Sequence, residues 1–525
     1  MLLTLMNLRP FHWLVLPAFV VGGALTPVAP LAAQTFTTLY SFSSTSALYP
    51  TNRDGAHPRA GLVLSGSTLY GTAKSAGSSS NGTVFAVNLD GSGFTNLHTF
   101  TGFPASFATN ADGASPVGAL SMLGNQLFGT TRSGGASSNG TVFVVNLDGS
   151  SFTNLHSFTA VFGASATNRD GANPGAGLVV SGTRLYGTVE NGGTSGNGSV
   201  FALNADGSGF TNLHSFSVRD TNTCTNRDGA NPGAGLVLSG NTLYGVVQFG
   251  GTNGNGCVFA LNTDGSGFTN LHSFPAFYGS AYTNAEGAYP LGDLILSNTT
   301  LYGTTVYGGT NGNGTLFALK TDGSAFRDLY SFTALDAATS TTNQDGANPR
   351  AGLSLSGNTL YGVAQFGGPS GNGTVFAINA DGSGFTNLHV FTANPSYTNS
   401  DGVWPSGLLA AGTTLYGMAE YGGTSGSGTV FSMALANPTP PTLLVPVSYS
   451  AASGFQFIVT NADGTPITAA QQSRTQIYAT TNPAVALSNW TALTNATVLT
   501  NGVLQIQDPD SLLYPLRCYS SALKP

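Results

Sequence analysis

The sequence predicts an all-β protein: a seven-bladed β-propeller of four-stranded blades, closed by an N-terminal strand and followed by a small C-terminal β-sandwich domain. Three observations carry that expectation. Gly fills 72 of the 525 positions and Pro another 25, a supply of turn residues that leaves little room for long helices. A Leu-Tyr-Gly core recurs at near-constant spacing, which marks stacked supersecondary units. The phase of the repeat places its last strand type first, which marks a ring that stitches its own ends.

At the N-terminus, residues 1–33 hold one cation, Arg9, then an apolar stretch from Phe11 through Ala24 and a Pro/Ala-rich tail ending at Ala33. That order reads as a signal peptide cut after Ala33. Pro17 and the Gly22-Gly23 pair interrupt the apolar run well short of the roughly 20 residues a membrane span needs. The mature chain is therefore expected to be exported, extracellular or periplasmic, with no integral membrane segment. Charged residues are only 7% of the chain, the formal charge is -7, and no run of Lys or Arg occurs, which removes the electrostatic basis for a nucleic-acid or anionic-membrane partner.

The repeat follows, over residues 34–437. Leu-Tyr-Gly begins at Leu69, Leu185, Leu243, Leu301, Leu360 and Leu415, with Leu127-Phe128-Gly129 in the remaining slot, so the spacings are 58, 58, 58, 58, 59 and 55. One unit reads as four short strands: A at Gly235 to Leu238, B at Thr242 to Gly245, C at Val258 to Leu261 and D at Phe268 to Phe274. Asn, Asp and Gly fill the turns between them, as hairpins require. Four such strands make one propeller blade. A D strand occurs first, at Phe36 to Phe42, and none follows the last C strand at Val430-Phe431. The first strand is therefore expected to complete the seventh blade.

The string Leu-Tyr-Gly-x-x-x-x-Gly-Gly-x-x-x-x-Gly-x-Val-Phe, as in Leu185 to Phe201, resembles the bacterial GloVer tandem repeat, a family of exported repeat proteins. The resemblance spans residues 36–432 and implies a repeat architecture; it carries no catalytic residues to transfer. A Pro-rich linker over 438–447 leads to residues 448–525, where alternation as in Phe455-Gln456-Phe457-Ile458-Val459 and Val503-Leu504-Gln505-Ile506 is similar to the sandwich modules appended to secreted bacterial proteins.

Most acidic residues fall in two repeated slots. Asp90, Asp148, Asp206, Asp264, Asp322 and Asp381 belong to the C to D hairpin, and Asp54, Asp112, Asp170, Asp228, Glu286, Asp345 and Asp401 lead into strand A. The second set is read as Asx turns, because the first ligand position of a calcium loop is never acidic. His98, His156, His214, His272 and His389 share one D-strand slot with Tyr40 and Tyr330 and read as structural. His57 stands apart without a metal-ligand neighbour, so no metal site and no cofactor are expected. Asn81, Asn139, Asn197, Asn313 and Asn372 form sequons inside turns where Asn-Gly is wanted for geometry. Cys224 and Cys257 sit at the same end of blade 4 and are expected to pair, leaving Cys518 free.

The variable slots carry the functional expectation. Two residues before the B to C Gly-Gly the units read Lys74, Arg132, Glu190, Gln248, Val306, Gln365 and Glu420, a spread that a core would not accept. One residue later they read Ser75, Ser133, Asn191, Phe249, Tyr307, Phe366 and Tyr421. Aromatics thus gather on blades 4 to 7, with Phe277, Tyr278, Tyr282, Tyr397 and Trp404 in the neighbouring loops. Rings beside Gln and Glu suit stacking and hydrogen bonding to a sugar. The leading expectation is a non-catalytic binding or adhesive module, its partner a glycan or another exported protein, with Phe249, Tyr307, Phe366, Tyr421, Glu190, Gln248, Gln365 and Glu420 as contact residues. Two alternatives stand beside it: a carbohydrate-active hydrolase or lyase using Glu190 and Glu420, and a purely structural envelope component.

Overall fold

The repeat resolves into seven antiparallel blades in a computed structural model. It describes residues 35–435 except 47–49, 105–108, 279–281 and 394–397, and outside that span the backbone of strands at 3–6, 442–450, 454–461, 475–480, 491–493, 496–500, 503–508 and 516–523. The rest of the expected signal peptide, the Pro-rich linker up to Pro441 and Tyr397 lie outside the described residues.

Blade 4 shows the pattern: strand A Val237–Ser239, B Thr242–Val247, C Cys257–Asn262 and D Thr269–Ser273, paired in that order. The Leu-Tyr-Gly signature is explained by the B to C register, in which Gly245 faces Phe259. A Cβ at Gly245 would lie 2.6 Å from Phe259 Cζ, so the motif needs Gly wherever the following Gly-x-Val-Phe delivers its ring.

The expected closure is observed. Phe36–Ser41 pairs antiparallel with Thr429–Ala434, with Phe36 opposite Met433 and Ser41 opposite Thr429. Blade 7 is thereby built from both ends of the repeat region.

The core lies between blades. Leu243, Phe259 and Leu261 of blade 4 pack on Tyr186, Val200 and Ala202 of blade 3, and Leu69 and Phe85 of blade 1 pack on Phe42, Tyr416 and Met418 of blade 7 across the seam. Each D strand ends in a fully buried Phe, from Phe42 and Phe100 to Phe332 and Phe391. Burying such a ring contributes roughly 1.5–3 kcal/mol. The A segments converge on the ring axis: a Cβ at Gly407 would lie 3.0 Å from Ala60 O, and one at Gly177 2.9 Å from Ala119 O. Only small residues allow that approach.

The chain divides into two compact units, Gln34–Leu435 and a second comprising Met1–Ala33 with Ala436–Pro525. The second unit holds two four-stranded antiparallel sheets, as a sandwich requires. One includes strands at 442–450, 454–461, 503–508 and 496–500 in that order; in the other, strand Leu3–Met6 borders Leu516–Leu523. Among the described residues no helix is long and apolar enough to cross a membrane.

Candidate functional site at the channel mouth

Each blade is entered through a short lead-in whose backbone is left-handed at one residue: His57, Ser115, Asn173, Asn231, Tyr289, Asn348 and Trp404, with φ between 53° and 60°. The amide of each donates to the B to C turn of the preceding blade, as Tyr289 N does to Asn255 O (2.9 Å) and Trp404 N to Asn372 O (3.1 Å). The lead-ins and the B to C turns therefore share one face, and the variable slots sit where they meet. Asn tolerates this conformation, whereas a bulky ring there is strained by about 1–2 kcal/mol. In blades 3, 4 and 6 the Asn side chain also bonds the previous blade, as Asn231 Nδ2 does to Glu190 O (2.8 Å). Blades 5 and 7 give up that bond and place Tyr289 and Trp404 instead.

Those two residues organise the expected aromatics. Tyr289 meets Phe249 (ring centroids 5.1 Å) and Tyr307 (5.8 Å), with Phe277 and Tyr282 beside them. Trp404 meets Phe366 (5.1 Å) and Tyr421 (4.9 Å), and Tyr421 meets His57 (4.5 Å). Arg219 lies over Phe249 and Arg350 over Phe366. The single sector expected over blades 4 to 7 is thus two clusters, one spanning blades 4 and 5 and the other blades 6, 7 and 1. Phe249, Tyr307, Phe366 and Tyr421 are half-buried between blades with part of each ring exposed. In the loops, Tyr278 and Tyr282 are 67% and 59% exposed.

The neighbouring slot forms a polar ring around the axis. Arg59 reaches Glu420 (3.8 Å) and Arg132 reaches Glu190 (2.5 Å), each across a blade boundary. Gln365 Nε2 donates to Glu420 (3.5 Å). Burial pushes the Glu190 carboxyl above its ordinary range, against the pull of Arg132 and Arg59. Lys74 is pulled below its ordinary range by burial first and by Arg59 next, with Glu420 opposing. Contrary to the expectation of an exposed slot, Val306, Gln365 and Glu420 are buried, because the converging inner strands crowd this position. Two polar atoms on blade 6, Arg350 Nε and Gln365 Oε1, are buried without a protein partner. A shallow depression of about 400 Å³ lined by Tyr40, Ser43, Arg53, Asp54, Phe94 and Asn96 lies at the outer rim, among the seam residues.

Two further sequence expectations are revised. Cys224 and Cys257 are separate free thiols, one exposed and one fully buried. Cys257 occupies the slot of Thr83 and Thr141, and its Sγ is directed at Asp228 O as theirs are at Asp54 O and Asp112 O. The Asx turn belongs to the Asn, not the acid: Asn168 Oδ1 accepts from Gly171 N and Gly193 N. Asp170 instead accepts from His156 Nε2 (3.0 Å), Thr159 N (3.0 Å) and the Thr159 hydroxyl, while His156 stacks on Phe210 of the next blade. Equivalent braces join His98 to Asp112, His214 to Asp228, His389 to Asp401, Tyr40 to Asp54 and Tyr330 to Asp345. The near-constant His to Asp separation was the available signal. The sequon residues Asn81, Asn139, Asn197, Asn313 and Asn372 each use Nδ2 on a D to A loop carbonyl, which accounts for them structurally. Among the described residues no group of three His, Cys, Asp or Glu side chains is placed to hold a metal.

The geometry defines a repeat-built seven-bladed propeller with an aromatic and polar channel mouth. The chain belongs to the Gloeobacter/Verrucomicrobia repeat family, whose repeat matches residues 22–169, 159–343 and 337–489. No curated protein matches it. Among solved structures it is similar to the GH74 enzyme of Niastella koreensis (16% identity, TM-score 0.45, covering 86% of this chain and 68% of that one) and to an oligogalacturonate lyase of Vibrio parahaemolyticus (10%, TM-score 0.43, 77% and 98%). It is also similar to a chain of a nidogen/laminin complex (14%, TM-score 0.36, 62% and 92%). At these scores the likenesses bear on neither substrate nor chemistry.

Proposed function

We propose that this propeller is an exported, non-catalytic glycan-binding module whose site lies off-centre at the channel mouth, on blades 6, 7 and 1. The observation that carries this reading is the meeting of a half-exposed aromatic cluster, Phe366, Trp404 and Tyr421, with buried polar atoms that have no protein partner, Arg350 Nε and Gln365 Oε1. A sugar offers both matching surfaces, an apolar ring face for stacking and hydroxyls for orphan donors and acceptors. The hydrolase or lyase reading is less favoured, because Glu190 and Glu420 each serve as counter-ion to an arginine. Export rests on the N-terminal residues and on the family resemblance.

A glycan array probed with the mature protein tests the reading. Binding is expected in the wild type and in a Phe249→Ala/Tyr307→Ala variant, and is expected to be lost in Phe366→Ala/Tyr421→Ala. Absence of any glycan binder, or equal loss in both variants, overturns the assignment to blades 6, 7 and 1.

A further inference from the structure

The sequence contains no run of basic residues, yet the ring brings three cations together. Arg59 and Lys74 come from blade 1 and Arg132 from blade 2, and Lys74 holds in blade 1 the slot that Arg132 holds in blade 2 and Glu420 in blade 7, so the ring sets it between them. Two carboxylates bracket the group, Glu420 from blade 7 and Glu190 from blade 3. Each carboxylate is taken by one arginine, so three cations face two anions. Lys74 makes no ion pair and no side-chain hydrogen bond among the described residues. Both arginines remain accessible, with side chains 33% and 45% exposed. In a protein with a net charge of -7, this is a locally positive opening on an otherwise acidic molecule.

The opening adjoins the aromatic cluster. Glu420 precedes Tyr421 in the chain, Tyr421 packs on His57, and His57 Nδ1 is hydrogen-bonded to the hydroxyl of Ser75, the residue after Lys74 (2.7 Å). A sugar stacked on Tyr421 and His57 would direct a ring substituent toward the Lys74 ammonium. Resting on the glycan-binding reading, we infer that the channel mouth selects acidic glycans, with Lys74, flanked by Arg59 and Arg132, receiving the carboxylate of a uronic-acid residue. A carboxylate accepts a charge-assisted hydrogen bond from the Lys74 ammonium, and one uncompensated cation suits a monoanion better than a densely sulfated chain.

The test compares a uronic-acid oligosaccharide, its carboxyl-reduced neutral counterpart and a sulfated oligosaccharide by titration calorimetry against the mature protein and Lys74→Gln. The wild type is expected to bind the uronate roughly tenfold more tightly than the reduced form, as one charge-assisted contact provides, and Lys74→Gln should bind both alike. Because Lys74 holds no partner, its melting temperature should be unchanged; if the variant misfolds, the wild-type preference should instead collapse between roughly 0.05 and 0.5 M salt. Equal affinity for uronate and reduced sugar, persistence of the preference in Lys74→Gln or at high salt, or tighter binding of the sulfated chain overturns the inference. If the two sugars bind equally and Trp404→Asn abolishes both, the glycan-binding reading survives and only the acidic selectivity falls; if no sugar binds, both fall.

Discussion

At the residue scale, the most informative positions are those where the side chain contradicts the backbone it sits on. Tyr289 and Trp404 hold a left-handed conformation that three other blades give to Asn, and that cost persists because the surrounding bonds over-determine it. Trp404→Asn should relieve about 1–2 kcal/mol of backbone strain while forfeiting edge-to-face contacts of similar size. Its unfolding free energy is expected to stay within about 1 kcal/mol of wild type while glycan binding disappears; a loss above about 3 kcal/mol in a denaturant titration would mark the ring as ordinary core. Cys257 makes the opposite case, a residue that conforms. Its slot is Thr in blades 1, 2, 5, 6 and 7, and burial pushes its thiol far above the usual range. Peptide-resolved alkylation of the native protein should modify Cys224 and leave Cys257 untouched until denaturant is added. Cys257→Thr should fold with stability within about 1 kcal/mol of wild type, replacing a weak S–H donor by a hydroxyl.

At the element scale, each D strand is tied to the next blade by its His or Tyr, and the tie titrates. Burial opposes charge on Asp112, Asp170, Asp228 and Asp401, yet the bonds from the histidine, hydroxyl and amide outweigh it and hold the carboxyls below their ordinary range. A carboxyl lower in the folded than in the unfolded chain stabilises above the unfolded value, about 3.9, and loses that contribution as pH falls through the folded value. Melting temperature should therefore decline steeply below about pH 4 through these groups, and Asp170→Asn should cost about 1–3 kcal/mol at neutral pH with a shallower acid limb. Equal acid sensitivity in wild type and Asp170→Asn, by calorimetry, would assign the effect elsewhere. The strands themselves were legible because Leu-Tyr-Gly, Gly-x-Val-Phe and Asp-Gly-Ser recur with their turns. The braces were not read, although His156 and Asp170 stand at a separation shared by most units: each residue taken alone suits a bland role, and only pairing between successive blades reveals the bond.

At the scale of the whole molecule, blade count and closure were legible because both are properties of repeat phase, whereas the candidate site was legible only in part. The variable slots gave Lys74, Gln365, Phe366, Glu420 and Tyr421 and the loops gave Trp404, but Arg59, Arg350 and the part played by His57 were missed, because which residues meet depends on the ring: Arg59 and Glu420 are neighbours only because blade 7 abuts blade 1. That seam is held by the N-terminal strand through its ladder to Thr429–Ala434, by Phe42 in the core cluster and by the Tyr40 to Asp54 brace. Removing residues 34–42 should open all three at once, exposing the unpaired edge of Thr429–Ala434, a template for association with other chains. The truncated protein is expected to be largely aggregated, and the acidic-glycan site on blades 7 and 1 should be lost with it. A peptide of sequence Phe-Thr-Thr-Leu-Tyr-Ser-Phe supplied during refolding should restore monomer by strand addition, whereas the same peptide with Tyr replaced by Phe should restore it less well, since it lacks the brace to Asp54. Size-exclusion chromatography with light scattering reads the result. A truncated protein that stays monomeric with an unchanged melting temperature would show that blade packing alone closes the ring and that the strand is dispensable.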